Sequence, residues 1–368
     1  MKLPPFALDM WLDDYAHRVD FNLAASTGPE WTVNGILDLA GNDERGRYLN
    51  HTVTYGRSAG ADGLRAAIAE MHAVDPECVQ IVTGASEALL ILFWIAAEPG
   101  ANVILPQPGF PPFTALPQSL GLETRFYRVR RENAFQIDPA EIEALADRNT
   151  KIVLVNNPHN PTGATMSDAA MERLHAFTAS RGIVLVSDEV YHPIYHGEPT
   201  QSAARLPGAT VISDFSKAFP LAGTRTGWIV EHDLRRLDAY KNARCHFSVS
   251  NNSAGEILAE IAVRARDKVW RKTQEVASRN LDVLDAFMAK RRDTFGWIRP
   301  DGGMTGFPWL LSGEDTRPFC RAAAEIGVLL APGDCFGAPE HFRIGFGAAG
   351  DRFADALERL AGMTVSLA

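Results

Sequence analysis

The sequence predicts an α/β protein with a largely parallel sheet buried on both faces, joined to a smaller α+β part. Three observations predict it. Short β-rich runs alternate with stretches of helical spacing through the middle of the chain. Those runs are apolar throughout, as strands covered on both faces are, and do not alternate as half-exposed strands do. Near Asn251 the character changes to a long charged helical stretch, followed by segments punctuated by glycine and proline.

Six runs carry the strand signal: VQIVTG (79–84), ANVILP (101–106), ETRFYRV (123–129), KIVLVNNP (151–158), GIVLVSDE (182–189) and ATVISDFS (209–216). Between them, 139–148 and 168–180 have helical spacing, and each begins near a capping residue. Helix-spaced connections between apolar strands fit a sheet sandwiched by helices. The charged helical stretch runs from about Ala254 to Arg291 and leads into WIRPDGGMTGFPWLL, VLLAPGDCFG and HFRIGFG. The expected division is a large α/β domain over 42–252 and a small domain built from 253–368, to which the N-terminal arm (1–41) returns.

Composition narrows the function. With 36 basic and 45 acidic residues the chain carries a formal charge of −9, which argues against a nucleic-acid or anionic-membrane partner. The longest apolar run, Ala88 to Ala97, falls far short of the roughly 20 residues that span a bilayer. Asp9, Asp13 and Asp14 interrupt the apolar stretch a secretory signal needs, so none is expected. Cys78, Cys245, Cys320 and Cys335 are scattered and read as idle thiols in a reducing cytoplasm.

In an open α/β sheet, ligands bind in the crevice beyond the carboxyl ends of the strands. Four such ends carry unusual chemistry. VQIVTGASEALLI runs into the small-residue turn Gly84-Ala85-Ser86 opening an apolar helix, where unpaired backbone N–H groups favour an anion such as phosphate. KIVLVNNPHNPTG ends in Asn157 and Asn160, and GIVLVSDEVY ends in Asp188 and Tyr191. TVISDFSKAFPLAGTRTGW ends in Ser216 and Lys217, with Arg225 eight positions later. A carboxylate following GIVLVS is costly to bury without a partner.

The motifs NNPHNPTG (156–163), SDEVY (187–191) and SKAFPLAGTRTGW (216–228), following TGASEA (83–88) and PGFPPF (108–113), resemble those of the class I/II aminotransferases. These are pyridoxal-phosphate enzymes of fold type I, and the resemblance spans nearly the whole chain. It implies a mostly parallel seven-stranded sheet and pyridoxal 5'-phosphate held by Lys217 as a Schiff base. Lys217 would then move the substrate's α-proton, and Asp188 would pair with the pyridine nitrogen. Asn160 and Tyr191 would hydrogen-bond the ring's phenolic oxygen, and Phe110 would lie on the ring. Arg225 would bind the phosphate together with Gly84, Ala85, Ser86 and Ser216. Arg343, in FRIGFG, matches the arginine that grips the substrate α-carboxylate. Tyr55 matches a residue that reaches the phosphate of a neighbouring subunit, which implies a homodimer with shared active sites. Ser26, Thr27 and Gly28 lie where the family closes over substrate. The substrates implied are an amino acid and a 2-oxo acid; no metal, nucleic acid or membrane is expected.

One position departs from the pattern. Three residues before the lysine the family usually has a serine or threonine donating to phosphate, and here stands Asp214. A carboxylate beside a phosphate is repelled. Asp214 therefore points away, is protonated or bridged by Arg225, or the phosphate cup is rebuilt.

Rival readings explain less. Gly56-Arg57-Ser58-Ala59-Gly60 fits a nucleophile elbow with His341 as its late histidine, but only 57 residues precede Ser58, fewer than that fold places before its elbow. Asp188, Glu189, His192 and His196 offer metal ligands, although Pro193 breaks the helix their spacing needs. A non-catalytic cofactor-binding module would bring a basic DNA-binding segment, which the sequence lacks. Within the resembling fold, C–S lyases, decarboxylases and cyclases share this framework, so the bond that breaks stays open. Trp31, Phe110, Phe113, Phe307 and Trp309 suit an apolar substrate pocket and core packing equally.

Overall fold

The computed structural model describes residues 2–363. All six runs form strands: β1 (Val79–Val82), β2 (Asn102–Gln107), β3 (Glu123–Arg128), β4 (Thr150–Asn156), β5 (Val184–Asp188) and β6 (Thr210–Asp214). A seventh, β7 (Gly227–Val230), completes one sheet of order β1-β7-β6-β5-β4-β2-β3. Only β7 runs antiparallel to its neighbours; the other pairings are parallel. Helices cover both faces, which is why Val153, Leu154, Val186 and Ile212 are wholly buried. Burying each such side chain contributes roughly 1.5–3 kcal/mol, and that double coverage is what makes the strands read as unbroken apolar runs.

Register sets the site. Asn156 lies opposite Asp188 on β4 and β5, Asp188 lies opposite Ile212 on β5 and β6, and Asp214 ends β6. The carboxyl ends of three adjacent central strands therefore deliver Asn156, Asp188 and Asp214 to one crevice. The helix Ala85–Ala96 starts beside it, directly after β1.

The stretch expected as one helix from 254 to 291 is two, Ser253–Arg264 and Arg266–Lys290. They are separated at Ala265, whose backbone (φ −101°, ψ 19°) leaves the helical region. The first packs on the helix Asp62–His72. Beyond the second, Phe342–Gly345 pairs antiparallel with Thr305–Gly306 and with Ala331–Pro332. The N-terminal arm joins this part, with Phe21–Asn22 parallel to Val328–Leu329. The arm crosses so closely that a Cβ on Gly345 would lie 1.8 Å from the Ala25 carbonyl oxygen. Among the described residues, no helix is long and apolar enough to cross a membrane.

Candidate active site

A cavity of about 360 Å³ opens at the carboxyl ends of β4, β5 and β6. It gathers Ser26, Ala85, Ser86, Phe110, Asn160, Asp188, Tyr191, Ser216, Lys217, Arg225 and Arg343 from segments distant in sequence. Thr27 also lines it. Gly28 does not; a Cβ there would meet Thr273 at 2.9 Å, which marks a packing position. Tyr55 stands outside the cavity and is 82% exposed.

Lys217 follows the turn after β6, and its Nζ donates to Ser26 Oγ at 2.9 Å, tying the β6 turn to the N-terminal arm. Asp188 is buried, and its Oδ1 accepts the backbone N–H of Val190 at 3.2 Å. Burial pushes the Asp188 carboxyl up from 3.8 to about 7, with Asp214 and Glu189 adding to the rise and the Val190 N–H and Lys217 opposing it.

Arg343 also lines the cavity and is buried within its strand. Its two Nη atoms donate to Asn160 Oδ1 at 3.0 Å and to the Ala24 carbonyl at 2.6 Å, and the guanidinium lies 4.8 Å over the Phe336 ring. Burial draws its pKa below the usual arginine value. Its Nε has no partner among the described residues, and neither has the buried Tyr191 hydroxyl. Asn160 is positioned by Asn156, whose Oδ1 accepts the Asn160 backbone N–H at 2.7 Å.

The anion end of the cavity is built on close approach. Gly84 has φ +76°, and a Cβ there would come within 2.8 Å of Arg225 Nη2, so glycine alone lets the arginine reach the helix start. Asp214 is buried at this end and faces inward. Its Oδ2 accepts the Ala85 N–H at 3.2 Å and the Ser216 hydroxyl at 3.1 Å, and its Oδ1 accepts the Ser216 N–H at 2.8 Å. Of the possibilities left open by the sequence, pointing away is therefore ruled out. The carboxylate takes up donors at a helix N-terminus, where negative charge is favoured.

These residues fit pyridoxal phosphate. The buried Tyr191 hydroxyl and Arg343 Nε are unpartnered donors on residues that line the cavity, and the start of the Ala85–Ala96 helix, Arg225 and Ser216 lie together at its anion end, where Asp214 now takes the Ala85 and Ser216 donors. Sequence reasoning missed Asn156 as the residue that fixes Asn160. It also missed Phe6, and Leu8, Asp9 and Leu12 of the helix Ala7–Tyr15 that follows it, all of which line the cavity. The spacing of Leu8, Trp11, Leu12 and Tyr15 is the amphipathic signal for that helix.

The rival constellations have other partners. His341 stacks on Phe307 at 4.5 Å and its Nδ1 contacts the Phe307 carbonyl, while the Ser58 carbonyl accepts from Gln80 and Arg244. His192 Nδ1 pairs with the Tyr195 hydroxyl and His196 Nε2 with the Gly303 carbonyl.

Residues 47–360 match the family model for aminotransferase class I and II, and the chain belongs to that family. The family and its fold type I relatives imply pyridoxal phosphate as cofactor and amino acids as small-molecule substrates. The chain is 29% identical over 353 residues to capreomycidine synthase of Streptomyces vinaceus, covering 94% of this chain and 90% of that one. It is 28% identical over 335 residues to S-alkyl-thiohydroximate lyase SUR1 of Arabidopsis thaliana, covering 84% and 72%. The fold matches a PLP-dependent aminotransferase from Streptococcus suis with a TM-score of 0.91 and 25% identity, over 98% of this chain and 97% of that one.

Two predictions arise here. In the cofactor-free protein the folded state holds the Asp188 proton more tightly than the unfolded state does. Asp188's contribution to stability is therefore full below its ordinary 3.8 and is lost as pH rises through about 7. Thermal unfolding of the cofactor-free protein should show Tm declining between about pH 5 and pH 8, and Asp188→Asn should flatten that decline. An unchanged slope in the variant would assign the effect to another group.

Asp214→Ser removes a carboxylate facing the phosphate cradle and restores a neutral donor. Cofactor affinity, measured by equilibrium dialysis, should tighten by about tenfold, a fraction of the roughly 4 kcal/mol between close unit charges near a protein surface. Weaker retention would mean that Asp214 organises the cradle more than it repels the phosphate.

Proposed function

We propose that the protein is a pyridoxal-phosphate-dependent aminotransferase that moves an amino group between an α-amino acid and a 2-oxo acid. The observation that carries this reading is that the Lys217 amine and the buried Arg343 guanidinium line one cavity. When bound, pyridoxal phosphate supplies an aldehyde for Lys217 and a ring that takes up the electrons released at the substrate's Cα. Lys217 would hold the cofactor through its Nζ, and the same amine would move the substrate's α-proton. Ser26, 2.9 Å from Nζ, orients that amine.

Arg343 receives the α-carboxylate through Nε and its adjacent Nη, the planar fork that suits a carboxylate. Holding that group keeps the Cα–carboxylate bond intact and presents Cα to Lys217. Asp188 would keep the ring nitrogen protonated, and Asn160 and Tyr191 would donate to the ring's phenolic oxygen. Phe110 would cover a ring face, while Gly84, Ala85, Ser86, Ser216 and Arg225 would hold the phosphate. This assignment of roles, with 42–252 as the cofactor-binding domain and 1–41 with 253–368 closing over it, belongs to the same proposal. So do a cytoplasmic location, supported by four free cysteines, and a homodimer with shared active sites. The exposed position of Tyr55 supports the dimer, because a residue serving the neighbouring subunit must face outward.

A second reading is supported by the relatives. One is called a synthase and another a lyase, so elimination or cyclisation after the same proton removal is the alternative outcome. Incubating the holoenzyme with amino acids and a 2-oxo acid acceptor decides between them. Transamination yields a new 2-oxo acid and a new amino acid in equal amounts. Ammonia, a thiol or a cyclised product, without amino transfer to the acceptor, would place the enzyme on the second branch.

A further inference from the structure

The helix Ala7–Tyr15 lies over the cavity, held by three contacts. Trp11 Nε1 donates to the Leu330 carbonyl at 2.8 Å, Leu8 is buried, and the Phe6 ring meets Phe110 edge-on at 5.9 Å. Leu8, Asp9 and Leu12 line the cavity from this helix, and Asp9, unlike the buried Leu8, is also exposed to solvent.

Among the charged groups lining the cavity, each one except Asp9 already has a task. Lys217, Asp188 and Arg225 serve the cofactor, Asp214 takes the Ala85 and Ser216 donors, and Arg343 is the receptor for the α-carboxylate. Asp9 has no hydrogen bond and no ion pair among the described residues. Partial burial and Asp13 push its carboxyl up, while Lys217, the one cation among the described residues that acts on it, opposes them. Lys217 is withdrawn from that role when it holds the cofactor.

We infer that Asp9 selects the substrate side chain, and that the preferred substrate is an α-amino acid with a cationic side chain. The inference rests on the reading of Arg343 as the carboxylate receptor. With the α-carboxylate at Arg343 and the α-amino group directed toward Lys217, the side chain extends toward the cavity mouth. There an ammonium or guanidinium group meets the unpartnered carboxylate, while the methylene stem lies along Phe6 and Leu12. A dicarboxylic substrate would place its second carboxylate against Asp9, and like charges disfavour it.

Calorimetric titration of the holoenzyme with L-arginine, L-lysine, L-ornithine, L-leucine and L-aspartate tests this, alongside single-turnover spectra with the same panel. Binding should favour the cationic amino acids over L-leucine by about tenfold or more, the lower end for a hydrogen bond to a charged group, and should rank L-aspartate last. Asp9→Asn should lower the cationic-to-neutral ratio by about tenfold, and Asp9→Lys should move L-aspartate ahead of the cationic panel. The cofactor spectrum before substrate identifies variants that remain loaded. A wild-type preference for L-leucine or L-aspartate, or a ranking that neither substitution changes, would overturn the inference. A charge preference in calorimetry with no spectral change in any single turnover would uphold Asp9 and instead refute the amino-transfer reading.

Discussion

Lys217→Ala should reduce turnover by at least about 10,000-fold, close to 5.5 kcal/mol of activation free energy. Two losses combine in this variant. General acid–base transfer by a positioned side chain contributes roughly 100- to 10,000-fold, and the covalent link that splits one difficult step into two easier ones disappears as well. Lys217 is held by one hydrogen bond to Ser26 and contributes little to the core, so the variant should fold with nearly unchanged Tm. Steady-state assays with a 2-oxo acid acceptor, together with thermal unfolding, separate loss of chemistry from loss of structure. Retained full activity would remove Lys217 from the reaction.

Arg343→Leu should lower kcat/KM by about 100- to 1,000-fold, with much of the effect in KM. Hydrogen bonds to charged groups contribute roughly 1.5–3 kcal/mol each, and the guanidinium offers the substrate carboxylate two donors. Arg343→Lys should recover only part of this, because an ammonium keeps the charge and loses the fork. Both variants leave Asn160 Oδ1 and the Ala24 carbonyl without their present donor. A stability cost of about 1–3 kcal/mol for these buried acceptors is therefore expected and should be measured separately by denaturant unfolding. A decarboxylated amine among the products of Arg343→Leu would show that Arg343 protects the carboxylate bond as well as binding it. An unchanged KM for every amino acid tested would place the carboxylate receptor elsewhere.

The sheet was legible because it is covered on both faces. β1, β2, β4, β5 and β6 must be apolar on each side, so they stand out as continuous runs that end at small or polar residues. β7 was harder to read from periodicity. It is four residues long and begins inside the GTRTGW motif, so its apolar stretch WIV is too short to identify a strand alone. The break at Ala265 carried no signal, since alanine favours a helix and neither glycine nor proline marks the position.

At the site, residue identities were legible in the motifs, but their arrangement was not. The contacts of Lys217 with Ser26 and of Arg343 with Asn160 join residues 191 and 183 positions apart. No local pattern encodes such pairings. Asp214 shows the limit most plainly. The sequence marked it as discordant, and only three-dimensional packing shows its carboxylate taking the N–H groups that a phosphate would use. The helix carrying Asp9 had a readable amphipathic pattern, but that pattern gives the buried face and says nothing of what the other face overlooks.

The most direct test of the account is to load the purified protein with pyridoxal phosphate, reduce it with borohydride and locate the label by peptide mass spectrometry. The account predicts a yellow absorbance that borohydride removes and a single pyridoxyl-lysine at Lys217. A label on another lysine, or no covalent label after loading, would contradict it.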